Sequence, residues 1–215
     1  AGGAIGQRLR RLDGRAKVDG GELFGADQIP ANALRVRAIR SPFARAKFIF
    51  GDLEAWIADR PGVETICTAA DITGSNCFGV IPPFADQPAL ADSQVRFRGE
   101  AVAIVVGDAD VMGTLDLSNF PVDWIPETAT VDLATATKGA ALHENIIGNQ
   151  LTAGHVVTGD ADAALANAVH VAEGIFETAY VEHAYIEPEA GAAWMDGNTL
   201  VIQVCTQAWI AKVLP

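Results

Sequence analysis

Six apolar residues run without interruption from Ala101 to Val106, between Arg98-Gly99-Glu100 and Gly107-Asp108. A half-exposed strand would place polar residues at alternate positions, and none interrupts this run. Val95 to Val106 is therefore predicted as a strand, and its apolar run as the part covered on both faces, the middle of a sheet with other structure packed above and below. Whatever the chain folds into is arranged around that strand.

The neighbouring segments supply the sheet. Leu34 to Arg40 alternates apolar residues with Arg35 and Arg37, which predicts a half-exposed strand. Asp52 is placed to cap a helix that shows Leu53, Trp56 and Ile57 on one face. Arg60-Pro61-Gly62 stops that helix, and Val63 to Cys67 resumes as a strand. The order is that of a βαβ-like unit whose helix lays its Trp56 side on a sheet. Residues 109–120 begin as a helix weakened by Gly113, Ser118 and Asn119. Pro121 to Pro126, with Trp124, reads as a short edge strand bracketed by prolines. Between these elements, residues 71–94 form a long loop with Gly74, Pro82-Pro83 and Pro88. Its Phe78 and Phe84 either pin it to the core or line a channel or a partner contact.

The two ends of the chain read differently. Residues 1–33 are an extended, turn-rich arm punctuated by Asp13-Gly14, Asp19-Gly20-Gly21 and Ile29-Pro30. Gly2, Gly3 and Gly6 lack the spacing after a strand that a dinucleotide-binding loop requires. Residues 128–158 are low in charge and rich in Ala, Thr and Gly, as in a linker, with a domain boundary near 135–150. Gly159-Asp160 then caps an alanine-rich helix, Ala161 to Ala168, with Leu165 toward a core. Val169 to Tyr180 reads as a strand. Ala190 to Met195 and Leu200 to Thr206 make a hairpin through Asp196-Gly197, a dipeptide that favours primed turns. This second sheet has too few elements to close a core of its own.

Charge and cysteine content exclude several functions. The formal charge of -12 is uneven: residues 1–100 carry 13 Lys and Arg against 12 Asp and Glu, while residues 101–215 carry 2 against 15. Such an acidic half repels phosphate backbones, which argues against nucleic acid and suits a basic partner surface. No apolar run approaches the ~18 residues of a membrane span, and no apolar segment follows Arg8, Arg10 and Arg11 as in a secretory signal. Cys67, Cys77 and Cys205 are odd in number and far apart, so a reduced, cytoplasmic setting is expected and each reads as a small buried or half-buried hydrophobe. Three thiols also fall short of the about four that an iron–sulfur cluster takes.

Residues 182–189 gather Glu182, His183, Glu187 and Glu189 in one short stretch. His183 and Glu187 have the spacing of a zinc pair on a helix, but Pro188 disfavours a helix there. Glu187 is better read as accepting backbone hydrogen bonds at a turn. A hydrolase using Glu182 and Glu187 is an alternative, and His143, His155 and His170 are scattered structural or exposed residues.

Six segments, taken in order, resemble the xanthine dehydrogenase/aldehyde oxidase family, the molybdenum hydroxylases. Asp13 to Gly20 is similar to the family's opening, an Arg-x-Asp-x-x-x-Lys-Val-x-Gly-like pattern. Arg40-Ser41-Pro42-Phe43-Ala44-Arg45-Ala46 resembles its Arg-Ser-Pro-His-Ala-His-Ala motif, with both histidines replaced. Arg96-Phe97-Arg98-Gly99-Glu100-Ala101-Val102-Ala103 resembles the Val-Gly-Glu-Pro-Val-Ala strand of its a/b hammerhead domain, with Arg98 and Ala101 in place of the Val and the Pro. Gly159-Asp160-Ala161-Asp162-Ala163-Ala164-Leu165 resembles a Gly-Asp-Val-Asp-Ala-Ala-Leu segment. Glu182-His183-Ala184-Tyr185-Ile186-Glu187-Pro188 resembles the Glu-His-x-x-Leu-Glu-Pro signature of the molybdopterin-binding region, and Cys205-Thr206-Gln207 the Ser-Thr-Gln that follows it. Residues 112–121 depart from the pattern where the family has a regular helix.

The resemblance implies an α+β fold: an N-terminal arm (1–33), an a/b hammerhead domain (34–135), a linker (136–158) and the first, β-rich part of a molybdopterin-binding domain (159–215). It implies a molybdenum–molybdopterin cofactor shared with further polypeptide, and [2Fe-2S] and FAD on partner domains or subunits of a hetero-oligomer. The reaction implied is hydroxylation of an aldehyde or N-heteroaromatic small molecule with oxygen drawn from water, in which the protein holds the cofactor, polarises it and supplies a base. The family's Gly-Gly-Phe-Gly-Gly-like loop and its late catalytic glutamate are not among these residues, so the chain is expected to be one part of an enzyme. By the Ser-Thr-Gln match, Gln207 is the catalytic and cofactor-binding candidate, with Thr206 and Cys205 beside it and no protein ligand to the metal. A neutral carboxamide N–H donates to the cofactor without adding charge. A non-catalytic assembly module that packs its acidic half on iron–sulfur and flavin subunits is the alternative.

Overall fold

The structure is a computed structural model and describes residues 5–79, 85–143, 146–179, 181–184 and 189–205. It is an α+β chain that divides into two compact units, Leu34–Val181 on the one hand and Ala1–Ala33 with Glu182–Pro215 on the other. In the arm, α1 (Gly14–Asp19) ends at Gly20, whose φ of 78° supplies the left-handed cap, and a 3-10 turn follows over Gly25–Gln28.

The 34–181 unit holds two three-stranded sheets. In the first, β1 (Arg35–Arg40) and β3 (Val63–Thr68) flank β7 (Ala101–Gly107), which runs antiparallel to both. The apolar run is therefore the central strand, and Val102, Ala103 and Val105 are completely buried. The strand expected over Val95 to Val106 is shorter: Gly99, with a φ of 93°, turns the chain before β7, and Val95 pairs with Ala46 in the other sheet. The βαβ-like order is realised with a difference: β1 and β3 point the same way, but β7 lies between them. The second sheet, in the order β6 (Gln94–Val95), β2 (Ala46–Phe50), β8 (Val122–Pro126), is antiparallel throughout. Strand β8 is an edge, as its prolines require.

Helix α2 (Leu53–Ala58) starts where Asp52 accepts the Ala55 N–H at 2.8 Å, and it buries Trp56. The indole Nε1 donates to the Asn119 carbonyl at 3.2 Å, and the Arg60 guanidinium lies 4.0 Å from the ring centroid. From Trp56 a series of rings crosses the second sheet: Trp56 to Phe120 at 5.3 Å, Phe120 to Phe50 at 6.2 Å, Phe50 to Phe48 at 5.2 Å and Phe48 to Trp124 at 5.6 Å. Tilted and edge-on contacts of this kind add to the area they bury.

Helix α3 (Ala109–Thr114) is shorter than the expected 109–120. Arg37 donates through Nη1 to the carbonyls of Met112, at 3.0 Å, and Leu115, at 2.6 Å, and so satisfies acceptors that a longer helix would use. Asp116 then accepts the Ser118 N–H at 2.8 Å in a local turn.

The 71–94 loop carries a minimal pair, β4 (Cys77–Phe78) and β5 (Gln87–Pro88). Phe78 is exposed and does not pin it, and Phe84 lies outside the described residues. The anchor is Asn76, whose side chain donates to the Leu90 carbonyl at 2.7 Å and accepts the Leu90 N–H at 3.1 Å. Cys67 and Cys205 are half-buried, but Cys77 is exposed on β4, contrary to expectation, because this short pair buries neither of its faces.

Beyond α4 (Leu133–Ala136), Asn149 braces the linker-like stretch. Its side chain donates to the carbonyls of Ala136 and Ala140, both at 2.9 Å, and accepts the Leu142 N–H at 2.7 Å. Helix α5 (Ala161–Ala166) is capped by Asp160, which accepts the Ala163 N–H at 2.9 Å. Two expectations fail here. Leu165 is 59% exposed instead of facing a core, and residues 169–179 form no strand and are exposed. A strand exists only in a ladder, and no described segment pairs with this one.

The hairpin forms as expected, from β9 (Gly191–Asp196) and β10 (Thr199–Val204). Asp196 pairs with Thr199, so the two-residue loop is Gly197-Asn198, with the positive φ of 58° at Gly197. Among the described residues, no helix is long and apolar enough to cross a membrane.

Candidate functional site

The open end of the β9–β10 hairpin is built by close approach. The Cys205 N–H donates to the Ala190 carbonyl at 3.1 Å and continues the ladder one step past β10. Opposite Val204 stands Gly191, where a Cβ would fall 2.7 Å from Val204 Cγ1 and 3.1 Å from the Gln203 carbonyl oxygen. From the arm, Gly25 approaches so closely that a Cβ there would lie 2.6 Å from Cys205 Sγ. Of the three expected site residues, Cys205 is thus held between the hairpin and the arm. Thr206 and Gln207 lie outside the described residues.

The carboxylate-rich stretch folds back on itself. Glu182 Oε2 accepts the Ala184 N–H, and Ala184 takes a left-handed φ of 50°, uncommon for a residue with a side chain. His183 Nδ1 is 4.0 Å from Glu182 Oε1, and both side chains are strongly exposed, so the pair contributes little. Glu187, the other half of the zinc and hydrolase readings, lies outside the described residues. Among the described residues no group of three or more His, Cys, Asp and Glu is arranged to hold a metal ion.

Two features were not apparent in the sequence. One is Gly25, which reads as a turn glycine until Cys205 is seen against it. The other is an ion-pair contact of 2.7 Å between His143 Nδ1 and Asp86 Oδ2, two side chains about one third exposed. The contact is an ion pair only when the imidazole carries a proton on both nitrogens. Residues 57 positions apart carry no local signal for such contacts.

With the hairpin and its Cys205 end in view, the likeness to known proteins is informative. Residues 142–211, which include α5 and the hairpin, match the family described as molybdopterin cofactor-binding domain. The chain is 30% identical over 207 residues to the nicotinate dehydrogenase large molybdopterin subunit of Eubacterium barkeri, covering 94% of this chain and 47% of that protein. It is 28% identical over 185 residues to a probable xanthine dehydrogenase subunit of Bacillus subtilis (strain 168), covering 85% of this chain and 24% of that one. The solved structure of quinoline 2-oxidoreductase from Pseudomonas putida 86 superposes with a TM-score of 0.72 at 25% identity, over 94% of this chain and 27% of that one. The aldehyde oxidoreductase from Desulfovibrio gigas shares the fold, with a TM-score of 0.72 at 23% identity over 90% of this chain and 23% of that one.

These likenesses define an α+β protein with a molybdopterin cofactor-binding segment. The chain is similar over most of its length to molybdopterin and xanthine dehydrogenase subunits, as the xanthine dehydrogenase/aldehyde oxidase resemblance leads one to expect, and it spans less than half the length of the curated relatives just described.

Molybdopterin holds molybdenum through its own dithiolene sulfurs, so a protein around it has to supply hydrogen-bonding groups more than metal ligands. The amide, hydroxyl and thiol of Cys205-Thr206-Gln207 are groups of that kind and fit such a cofactor.

Proposed function

We infer that the chain is part of a molybdenum hydroxylase. In this reading residues 34–135 are its a/b hammerhead domain, 136–158 a linker and 159–215 the beginning of the molybdopterin-binding domain, with 1–33 as the arm. The observation that carries the reading is the hairpin: it lies inside the molybdopterin-binding match and leads through Cys205 to Thr206-Gln207. When bound, the cofactor supplies the redox centre at which an aldehyde or an N-heteroaromatic carbon is hydroxylated with oxygen from water. Cys205, Thr206 and Gln207 line the cofactor, and Gln207 donates its carboxamide N–H to it, a fixed dipole that needs no reorganisation during the reaction.

The cofactor is shared with the remainder of the molybdenum-binding subunit. The hairpin supports this. On one of its faces, register brings together Gly191, Ala193, Met195, Leu200, Ile202 and Val204, none of them polar. Met195, Leu200, Ile202 and Val204 are 54–61% exposed in these 215 residues, and further polypeptide covers them in the enzyme. Iron–sulfur and flavin subunits or domains carrying [2Fe-2S] and FAD complete a hetero-oligomer in the cytoplasm that acts on a small molecule. The same uncovered face is what an assembly module would present, and activity separates the two readings.

The test uses the purified complex that contains this chain. Molybdenum and pterin co-purify with it, and Gln207→Ala lowers kcat ~10²-fold at full molybdenum loading, the scale of losing one oriented donor. Unchanged turnover at full loading removes Gln207 from the site, and a complex without molybdenum or pterin removes the function.

A further inference from the structure

The first sheet is covered on one face only. Across its three strands the register lines up Arg37, Val105 and Ile66 in one row and Ile39, Ala103 and Thr68 in another. These rows share a face, since partners across an antiparallel ladder point the same way and residues two apart repeat it. That face is dry. Ala103 and Val105 are completely buried, Ile66 packs on the core, and Arg37 reaches the carbonyls at the end of α3. The intervening rows are Val36, Val106 and Thr65, and Ala38, Ile104 and Cys67. They form the opposite face, and it meets water. Val36 is 57% exposed, Thr65 is exposed, and Ala38, Ile104, Val106 and Cys67 are half-buried. Ile104 and Val106 stand on the central strand, yet neither belongs to the core or packs against it.

We propose that this outer face of the first sheet is a docking surface, and that its occupant is a segment of the molybdenum-binding subunit outside these 215 residues, apolar and uncharged where it makes contact. The inference rests on the reading of this chain as part of such a subunit. Three observations favour that occupant. None of the six side chains on the face is charged, whereas a surface that meets a separate, exchangeable partner carries a larger polar share. An unbroken apolar run is expected where a strand is covered twice, and Ala101 to Val106 is covered once. The polypeptide to cover it exists in the relatives. This chain accounts for 47% of the Eubacterium barkeri subunit and 24% of the Bacillus subtilis one, so more than half of each lies outside the match. The surface is distinct from the hairpin face, which belongs to the other compact unit.

The test uses the purified complex that contains this chain and has two readouts. The first is alkylation of Cys67 by iodoacetamide, mapped by peptide mass spectrometry and compared with the same thiol in the urea-unfolded complex. A covered face is expected to slow Cys67 more than roughly 50-fold. A smaller factor, as for a half-buried thiol still in contact with water, overturns the proposal. The second readout identifies the occupant. The photoreactive residue p-benzoylphenylalanine replaces Val36, at the open edge of the face, and the irradiated complex is digested and its cross-linked peptides are mapped. Cross-links to the molybdenum-binding subunit outside residues 1–215 are expected. Cross-links only to an iron–sulfur or flavin subunit, to a second copy of this chain or to nothing overturn the proposal. Where the substituted chain fails to assemble, Thr65 at the opposite edge carries the probe with the same outcomes, and the unsubstituted complex still gives the Cys67 ratio. A complex that holds no molybdenum or pterin refutes the cofactor reading, while the alkylation ratio and the cross-links still decide whether further polypeptide covers this face.

Discussion

The Ser41 N–H donates to the carbonyl of Glu100 at 2.9 Å, across 59 residues of sequence. The Gly99 N–H returns to the Ser41 carbonyl at 2.8 Å, and Arg40 Nη1 donates to the Gly99 carbonyl at 2.8 Å. Ser41 Oγ donates to the Phe43 carbonyl and accepts the Phe43 N–H, and Glu100 Oε2 accepts the Arg96 N–H. Both Ser41 and Glu100 are 3% exposed. Two of the family-like motifs, Arg40 to Ala46 and Arg96 to Ala103, thus interlock as one corner at the end of β1, where the β1–β7 register shifts between Ile39 and Arg40. Their role in this chain is architectural, since together they fix the entry of the central strand.

Glu100 is the polar centre of that corner. Glu100→Ala leaves the Arg96 N–H without its acceptor in a buried place, at a cost of about 1–3 kcal/mol. Glu100→Gln keeps an acceptor oxygen and is expected to cost less than half as much. Urea midpoints of the complex read the difference, and equal losses for the two variants would show that the carboxylate's charge matters more than its acceptor geometry.

Two glycines rank by what stands beside them. Gly99 has a φ of 93° with nothing within 4 Å of an added Cβ, so Gly99→Ala meets backbone strain alone, about 1–2 kcal/mol. Gly62 has a φ of 90°, and its added Cβ would also lie 2.6 Å from Val111 Cγ2 and 3.2 Å from Asp108 Oδ2. Gly62→Ala is therefore the more damaging, and thermal unfolding of the two variants side by side checks the order.

Asp13 makes a prediction about pH. Lys17 and then Arg11 hydrogen-bond its carboxylate, both at 2.6 Å, and hold its pKa down to about 2. The folded value lies below the ordinary ~3.9, so the arm gains stability from this group above pH ~4 and loses it as pH falls toward about 2. An NMR titration of the Asp13 carboxyl carbon is expected to show a midpoint near 2, rising in 1 M NaCl as the pairs are screened. A midpoint at the ordinary value, insensitive to salt, would mean the pairs do not form in solution.

What was legible in the sequence follows the range of the interaction. β7 was legible because an unbroken apolar run has few other uses. The caps at Asp52 and Asp160 reach only three residues along the chain. The hairpin was legible from Asp196-Gly197, although the loop proves to be Gly197-Asn198. β2 was missed, because only its first residue, Ala46, falls in a motif read for its resemblance, while its partners β6 and β8 lie far along the chain. Leu165 and residues 169–179 were assigned a core and a sheet from local pattern alone. A pattern states which face would be buried, and cannot supply the segment that buries it. Gly25 against Cys205 is the extreme case: 180 residues separate the two sides of one contact.

The uncovered hairpin face gives the last prediction. Ile202 on β10 and Ile49 on β2 are both 61% exposed. Their surroundings differ. Across the ladder Ile49 pairs with Asp123, and along its face stands Lys47, so water already solvates that surface. Ile202 pairs with Ala193 and stands between Leu200 and Val204, with no polar side chain on the face. If further polypeptide of the molybdenum-binding subunit covers the hairpin, Ile202→Asp buries an unpaired carboxylate, which costs several kcal/mol. Ile49→Asp remains a surface change, within about 0.5 kcal/mol of neutral. The thermal midpoint of the purified complex is expected to fall sharply for Ile202→Asp and hardly at all for Ile49→Asp. Equal midpoints would mean that the hairpin face stays in water in the assembled protein, and the covering segment would have to be sought on another surface.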